Sequence, residues 1–332
     1  MTAALFTAHC STNMYQFNNC QELLDLCKKE KLSISQIAIK REMELFGKSR
    51  PWVRNKMKQV RDTMWEAISK GVKSTTKSQY GLVGGDAAKI YKYVNKHSGM
   101  LHSKVAIRAM AYAIATNEQN ARMGKIVAFP TAGGSGVVPA VLFSTYEHMK
   151  SSKRKMLNAL FTASALGIAI LKHGGTFSAA KAGCQAEVGV GVAMAAAGVT
   201  EMRGGTPEQC LNAAALGLKN MLGLACDPLG GLVEVPCVKR NAIGATSAIS
   251  ASDMSMMGVK SFIPMDEVVE AMMNISSHMS ETVRETALGG LAVTPTGLRI
   301  REKMGLPPLP KEYLNWRERK PKAKCGGCNG CG

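Results

Sequence analysis

Val53, Met57, Val60, Met64 and Ile68 recur three and four residues apart, a stripe that an α-helix gathers on one face. Pro51 suits the first turn of that helix, where its missing N–H costs nothing. Similar patterns predict helices over 102–123, 137–149, 155–171, 187–202, 241–257 and 266–279, separated by glycine-rich loops. Thr206-Pro207-Glu208-Gln209 reads as a capping box, with Thr206 as N-cap, Pro207 at the first helical position and Gln209 closing it. Apolar residues make up 46% of the chain but aromatics only 5%. Bulk supplied by Ala, Met, Leu and Gly favours packed helices, because strands want β-branched and aromatic residues in alternation. The expectation is an all-α fold, bundle-like, with no internal repeat.

Three stretches differ in character. Residues 1–80 read as a basic helical region, 81–304 as the main helical domain, and 305–332 as a flexible cysteine-rich tail. Leu306-Pro307-Pro308-Leu309-Pro310 opens that tail, and Cys325-Gly326-Gly327-Cys328-Asn329-Gly330-Cys331-Gly332 ends it. The longest apolar run, Met156 to Leu171, is broken by Asn158, Thr162 and Ser164 and falls short of a membrane span. The N-terminus lacks a basic patch before an apolar core, so no signal peptide is expected. The reading is a soluble, cytoplasmic protein with no membrane partner.

The net charge is +18, and residues 1–125 carry 21 Lys/Arg against 9 Asp/Glu. Clustered basic residues bind nucleic acid by releasing counterions, but no recognition motif or aromatic stacking platform accompanies them. A solvated basic face, or one meeting an acidic partner, is the expected role, without nucleic acid.

Ten cysteines without an export signal are expected to stay reduced, which directs attention to metal or catalysis. Cys184, Cys226 and Cys237 are each expected at a loop-to-helix junction, where backbone N–H groups and the helix dipole favour a thiolate. Spacing alone leaves open whether these are metal ligands or ordinary buried cysteines. Cys10, Cys20, Cys27 and Cys210 read as structural. Pro130-Thr131-Ala132-Gly133-Gly134-Ser135-Gly136 leads into a helix, and free N–H groups there would suit an anion such as a carboxylate; a plain tight turn is the alternative.

The runs Gly183-Cys184-Gln185-Ala186-Glu187, Gly204-Gly205-Thr206-Pro207-Glu208-Gln209, Cys226-Asp227-Pro228 and Val233-Glu234-Val235-Pro236-Cys237-Val238-Lys239-Arg240-Asn241-Ala242 resemble the α-chain signature of iron-dependent L-serine dehydratases. Gly84-Gly85-Asp86-Ala87-Ala88-Lys89, Pro130-Thr131-Ala132-Gly133 and Arg284-Glu285-Thr286-Ala287-Leu288-Gly289-Gly290-Leu291-Ala292 before Thr294-Pro295-Thr296-Gly297 extend the resemblance, in order, over about residues 80–300. The resemblance implies a lyase of amino-acid catabolism that supplies gluconeogenesis, with 81–304 as its catalytic domain. It implies a [4Fe–4S] cluster held by Cys184, Cys226 and Cys237, with one iron open to act as a Lewis acid on serine's β-hydroxyl. Loss of the α-proton and of water would give aminoacrylate, then pyruvate and ammonia. Thr131, Gly133 and Ser135, with Lys239 and Arg240, are the implied substrate contacts, the last two either holding the carboxylate or balancing cluster charge.

The resemblance also implies a C-terminal cysteine on the open iron when substrate is absent; Cys331 is favoured over Cys325 and Cys328. The C-x-x-C-x-x-C run could instead be a cluster or zinc site of its own, making a redox or sensor protein, or an unliganded tail. Cysteine or another β-substituted amino acid is an alternative substrate. No residue is assigned as the α-proton base: His9, His97, His102, His148, His173 and His278 share no dyad spacing, and His173 reads as pocket lining. Single-chain relatives carry an extra domain with a Ser-Ser-x-Gly-Pro-His-Thr motif that this chain lacks. A separate β-type subunit, a homo-oligomer, or both are therefore expected as partners beside L-serine.

Overall fold

A computed structural model describes residues 14–96 and 99–315. The N-terminal third holds α1 (Cys20–Glu30), α2 (Ile34–Phe46), α3 (Arg50–Gly71), α4 (Asp86–Lys96) and α5 (Lys104–Ala121). Then come α6 (Val137–His148), α7 (Lys153–Lys172), the single turn α8 (Ala179–Ala182), α9 (Val190–Met202) and α10 (Pro207–Lys219). The rest is α11 (Cys237–Met256), α12 (Met265–His278), α13 (Pro295–Lys303) and the short α14 (Lys311–Leu314). No strand occurs among the described residues, only an isolated bridge between Cys226 and Arg284. The fold is all-α.

The bundle is built around α9. Twelve of its thirteen residues are buried, and α6, α7, α10 and α11 surround it. Its sequence, Val190-Gly191-Val192-Ala193-Met194-Ala195-Ala196-Ala197-Gly198, is small because neighbouring backbones come close. A Cβ on Gly198 would stand 2.7 Å from the Ala159 carbonyl of α7. Each buried methyl contributes only about 0.8 kcal/mol, but small side chains let whole helix faces gain dispersion contact. That packing explains an apolar fraction built on alanine and glycine with few aromatics.

Local chemistry sets the helix ends. Thr206 Oγ1 accepts from Gln209 N at 3.2 Å while Gln209 Oε1 accepts from Thr206 N at 2.9 Å, the reciprocal box expected there. Ser33 and Gln36 form a second box at the start of α2, and Pro51 occupies the first turn of α3. On α3, Val53, Met64 and Ile68 are buried, with Met57 and Val60 partly so against the core. The expected 187–202 helix is resolved differently: Gln185–Gly189 forms a π turn that widens the chain before α9 begins. The 241–257 helix starts earlier, at Cys237.

One expectation about the membrane needs correcting. α7 is long and apolar enough to cross a bilayer by length and composition, although 67% of its apolar window is buried inside the fold, against α9 and α2. Core burial accounts for that hydrophobicity.

Candidate active site

Cys184, Cys226 and Cys237 come from three separate segments, lie near enough to act electrostatically on one another, and are all nearly inaccessible, at 1%, 2% and 3% exposure. Cys184 follows Gly183, whose φ of 70° lies in the left-handed region, and heads the π turn. The Gln185 N–H donates to Leu224 O at 3.1 Å, tying that turn to the loop before Cys226. Cys226 itself is not at a helix start. It lies in extended backbone, its N–H donating to Val283 O at 2.8 Å and its carbonyl accepting from Glu285 N at 2.7 Å. Cys237 is the first residue of α11.

Burial, more than the helix dipole, sets the acidity of these thiols. It pushes Cys184 up to about 11, with Glu187 adding to the rise and Arg240 opposing it. Burial, then Cys184 and Glu187, push Cys237 up to about 12. Cys226 is raised by burial and then by Cys184 and Cys237. The expected thiolates are therefore thiols in the metal-free chain. A metal centre would reverse this, since coordination deprotonates a thiol outright. The mutual influence of the three sulfurs also marks them as neighbours. Among the described residues, no three His, Cys, Asp or Glu side chains form a ready-made site for a metal ion.

Beside the thiols, the 130–136 loop meets the π turn. Thr131 Oγ1 donates to Glu187 Oε1 at 2.5 Å and accepts from Gly134 N at 3.1 Å. Gly133 has to lack a side chain: a Cβ there would stand 2.6 Å from a Glu187 carboxylate oxygen. Asn241 of α11 clamps the loop, donating to Gly133 O at 2.7 Å and to Cys237 O at 2.9 Å while accepting from Gly136 N at 3.1 Å. Asn117 of α5 donates to Gly133 O as well, at 2.8 Å. The amides of Gly134, Ser135 and Gly136 thus already have acceptors, and the buried Ser135 hydroxyl donates to Ala132 O. The row of free N–H groups expected of this loop is absent at those three positions, because Thr131, Ala132 and Asn241 occupy them.

Glu187 is the residue that sequence reasoning missed. It is buried, and burial raises its carboxyl pKa, with the Thr131 hydrogen bond acting against the rise and Glu285 adding to it. It is the buried acid of this loop–turn junction, and a carboxyl of raised pKa can hold or release a proton nearer neutrality. Its place in the Gly183–Glu187 run was a visible signal, but Thr131 is 56 residues away.

The two basic candidates diverge. Arg240 turns inward, its Nη1 donating to Ala225 O at 2.7 Å and its Nη2 to Asp227 Oδ1 at 2.8 Å, with Cys184 and Cys237 acting on its charge. Asp227 also accepts from Leu291 N at 2.8 Å, which fastens the 284–291 loop over the site. That loop holds Glu285 and Ala287 at φ of 66° and 55°, a left-handed strain often found at functional sites. Lys239 is half-exposed and pairs with Asp86 Oδ2 at 2.7 Å. His173 pairs with Glu270 at 3.2 Å, and His278 bonds the backbone of its own helix. Cys20, Cys27 and Cys210 are buried in the core. Cys10, His9, His97 and the tail cysteines Cys325, Cys328 and Cys331 lie outside the described residues.

Three buried thiols, a carboxyl and a guanidinium gather beneath the 284–291 loop of this helical scaffold, and the chain's relatives make it an enzyme, a lyase. The family model described as Serine dehydratase alpha chain matches residues 29–292. The chain belongs to the serine dehydratase alpha chain family. It is 46% identical over 288 residues to a probable L-serine dehydratase, alpha chain, of Bacillus subtilis, covering 87% of this chain and 95% of that one. It is 40% identical over 284 residues to an L-serine dehydratase, alpha chain, of Peptoniphilus asaccharolyticus, covering 86% and 97%. An L-serine dehydratase of Streptomyces coelicolor is 35% identical over 287 residues, but these cover only 61% of its length.

Proposed function

We propose that this chain dehydrates L-serine to aminoacrylate, which hydrolyses to pyruvate and ammonia, on a [4Fe–4S] cluster held by Cys184, Cys226 and Cys237. The observation that carries the reading is the convergence of three buried thiols, from segments 42 and 11 residues apart, beside a buried carboxyl. The donor set fits the group. Thiolates are the usual ligands of iron–sulfur clusters. A cubane also spreads its ligands over separate irons, so its thiols stand wider apart than those of a single-ion site. When bound, a cluster with three protein thiolates supplies a Lewis-acidic iron with an open position.

The protein groups supply the rest. Glu187 is the residue we assign to take the α-proton, held in one orientation by the Thr131 hydroxyl. Arg240 offsets the negative charge of three thiolates and is itself held by Asp227. The clamped 130–136 loop forms a wall behind Glu187, and burial limits water at the reacting carbon. The proton leaves Cα, hydroxide leaves Cβ, and the two depart as water; hydrolysis of aminoacrylate then consumes one water. Cys331 is the proposed fourth ligand in the absence of substrate.

A separate chain completes the enzyme in this reading. The relatives called alpha chains are matched over 94–97% of their length, whereas the Streptomyces coelicolor protein extends well beyond the match. The deciding experiment is anaerobic reconstitution with iron and sulfide followed by a pyruvate assay on L-serine, with the partner present. A loaded, partnered enzyme that makes no pyruvate would overturn the reading.

A further inference from the structure

An α-amino acid brings an ammonium group beside its carboxylate, and an ammonium leaving water needs an acceptor, best a charged one. Three carboxyl groups stand by the thiols: Asp227 follows Cys226 in the chain, and Glu187 and Glu285 both act on the Cys226 sulfur. Asp227 is committed at both oxygens, Oδ1 to Arg240 Nη2 and Oδ2 to Leu291 N, each at 2.8 Å. Glu187 is buried, accepts from the Thr131 hydroxyl and is the proposed proton acceptor. Glu285 is different. It is exposed, and among the described residues its carboxylate has neither a hydrogen bond nor an ion pair.

Backbone bonds fix where Glu285 stands. Its N–H donates to Cys226 O at 2.7 Å, and Cys226 N donates to Val283 O at 2.8 Å, so residues 283–285 run alongside a thiol-bearing segment. Arg284 Nη1 donates to Lys181 O at 3.2 Å, which ties the same stretch to α8, just ahead of Cys184. On the other side of Glu285, Thr286 Oγ1 donates to Glu281 O at 2.9 Å and Asp227 holds Leu291. The carboxylate is thereby kept close enough to act on both Cys226 and Glu187. We infer that Glu285 receives the ammonium group of the substrate at the edge of the thiol site and so selects α-amino acids over hydroxy acids of the same shape. The inference rests on the serine dehydratase reading, in which Glu187 faces the α-carbon. Because Glu285 is exposed, water and salt screen the pair, and its contribution belongs at the low end for a charged hydrogen bond, about tenfold in affinity.

The test compares wild type, Glu285→Gln and Glu285→Asp as cluster-loaded full chains with the partner present, at one ionic strength. Iron and sulfide content is measured first, then KM and kcat for L-serine and the inhibition constant of L-glycerate, which carries a hydroxyl in place of the ammonium. Glu285→Gln should keep its iron, raise the KM for L-serine about tenfold with a smaller fall in kcat, and leave inhibition by L-glycerate within about twofold. Glu285→Asp should recover part of the loss, because it restores the charge and an aspartate tolerates the φ of 66° at this position. An unchanged KM for L-serine, an equal loss for L-serine and L-glycerate, or loss of iron from Glu285→Gln would each overturn the inference while the wild-type enzyme still makes pyruvate. A wild-type enzyme that makes none would overturn the serine dehydratase reading itself, so the two failures are told apart.

Discussion

Thr131 Oγ1 donates a 2.5 Å hydrogen bond to Glu187 Oε1, joining the loop before α6 to the π turn before α9. The bond fixes a buried carboxyl beside three thiols. Gly133, with no Cβ, leaves the space that carboxyl needs. The π turn is the reason Glu187 can reach it: one extra residue per turn re-aims the side chains ahead of α9, a common device at functional sites.

Glu187→Gln should trade activity for stability. The amide keeps an acceptor for Thr131 but removes a buried ionisable group, so serine turnover should fall by at least about a hundredfold if Glu187 takes the proton. The pH dependence has a definite sign. Burial raises the Glu187 pKa in the folded chain, so its contribution to stability is fully present below the unfolded carboxyl pKa and is lost as pH rises through the raised value. Thermal melts of the metal-free chain from pH 4 to pH 8 should show the variant gaining on wild type as pH rises. A constant gap would mean that Glu187 is not perturbed.

Asn241→Ala should cost stability out of proportion to its size. The side chain makes three hydrogen bonds, to Gly133 O, Cys237 O and Gly136 N, all in the buried interior. Truncation strands the Gly136 N–H and takes one donor each from Cys237 O and from Gly133 O, which keeps Asn117, at about 1–3 kcal/mol for each group left unsatisfied. The measurable outcome is a lower denaturation midpoint with an unchanged m-value. Asn241→Asp should fare no better, since a carboxylate cannot donate to the two carbonyls.

Serine replacement of Cys184, Cys226 or Cys237 should each abolish iron and sulfide binding in reconstituted protein, read by metal analysis and visible absorption. Deleting residues 325–332 should leave a cluster that assembles but bleaches faster in air. Full iron content in any of the three serine variants would contradict the ligand set, and failure of the truncated chain to assemble would point to the tail motif instead.

Much of the fold was legible because its signals are local. The Val53–Ile68 stripe and the Thr206–Gln209 box each lie within one helix or its first turn, and both are present. The start of α9 was misplaced because the residues of a π turn continue the same apolar pattern as the helix they precede. The junction expected at Cys226 was wrong in kind: Pro228 and the 229–231 turn resemble a helix start, but the residue pairs with Arg284, 58 positions on. The site was legible only as motif. Cysteine spacing alone could not join residues 184, 226 and 237, and no spacing rule connects Thr131 to Glu187. Arg240 and Lys239, adjacent in sequence, point apart because they lie 100° apart around α11.

The two-chain reading makes a prediction about salt. Positive charge is concentrated in residues 1–125, and the ends of α3 and α7 bring Arg50, Arg54 and Arg154 close enough that their mutual repulsion, after burial, lowers the Arg54 pKa. Like charges gathered this way are stabilised by an acidic partner, which also speeds the encounter. The isolated chain, with its cluster intact, should therefore deaminate serine slowly, and the partner should restore turnover. Raising ionic strength from about 0.05 to 0.5 M shortens the screening length several-fold and should weaken the complex accordingly. Arg50→Glu with Arg154→Glu should lower the association rate more than it raises the dissociation rate, measured by surface-immobilised binding kinetics. A partner that associates at the same rate with wild type and the double variant, in low salt and high, would place its docking face elsewhere on the chain.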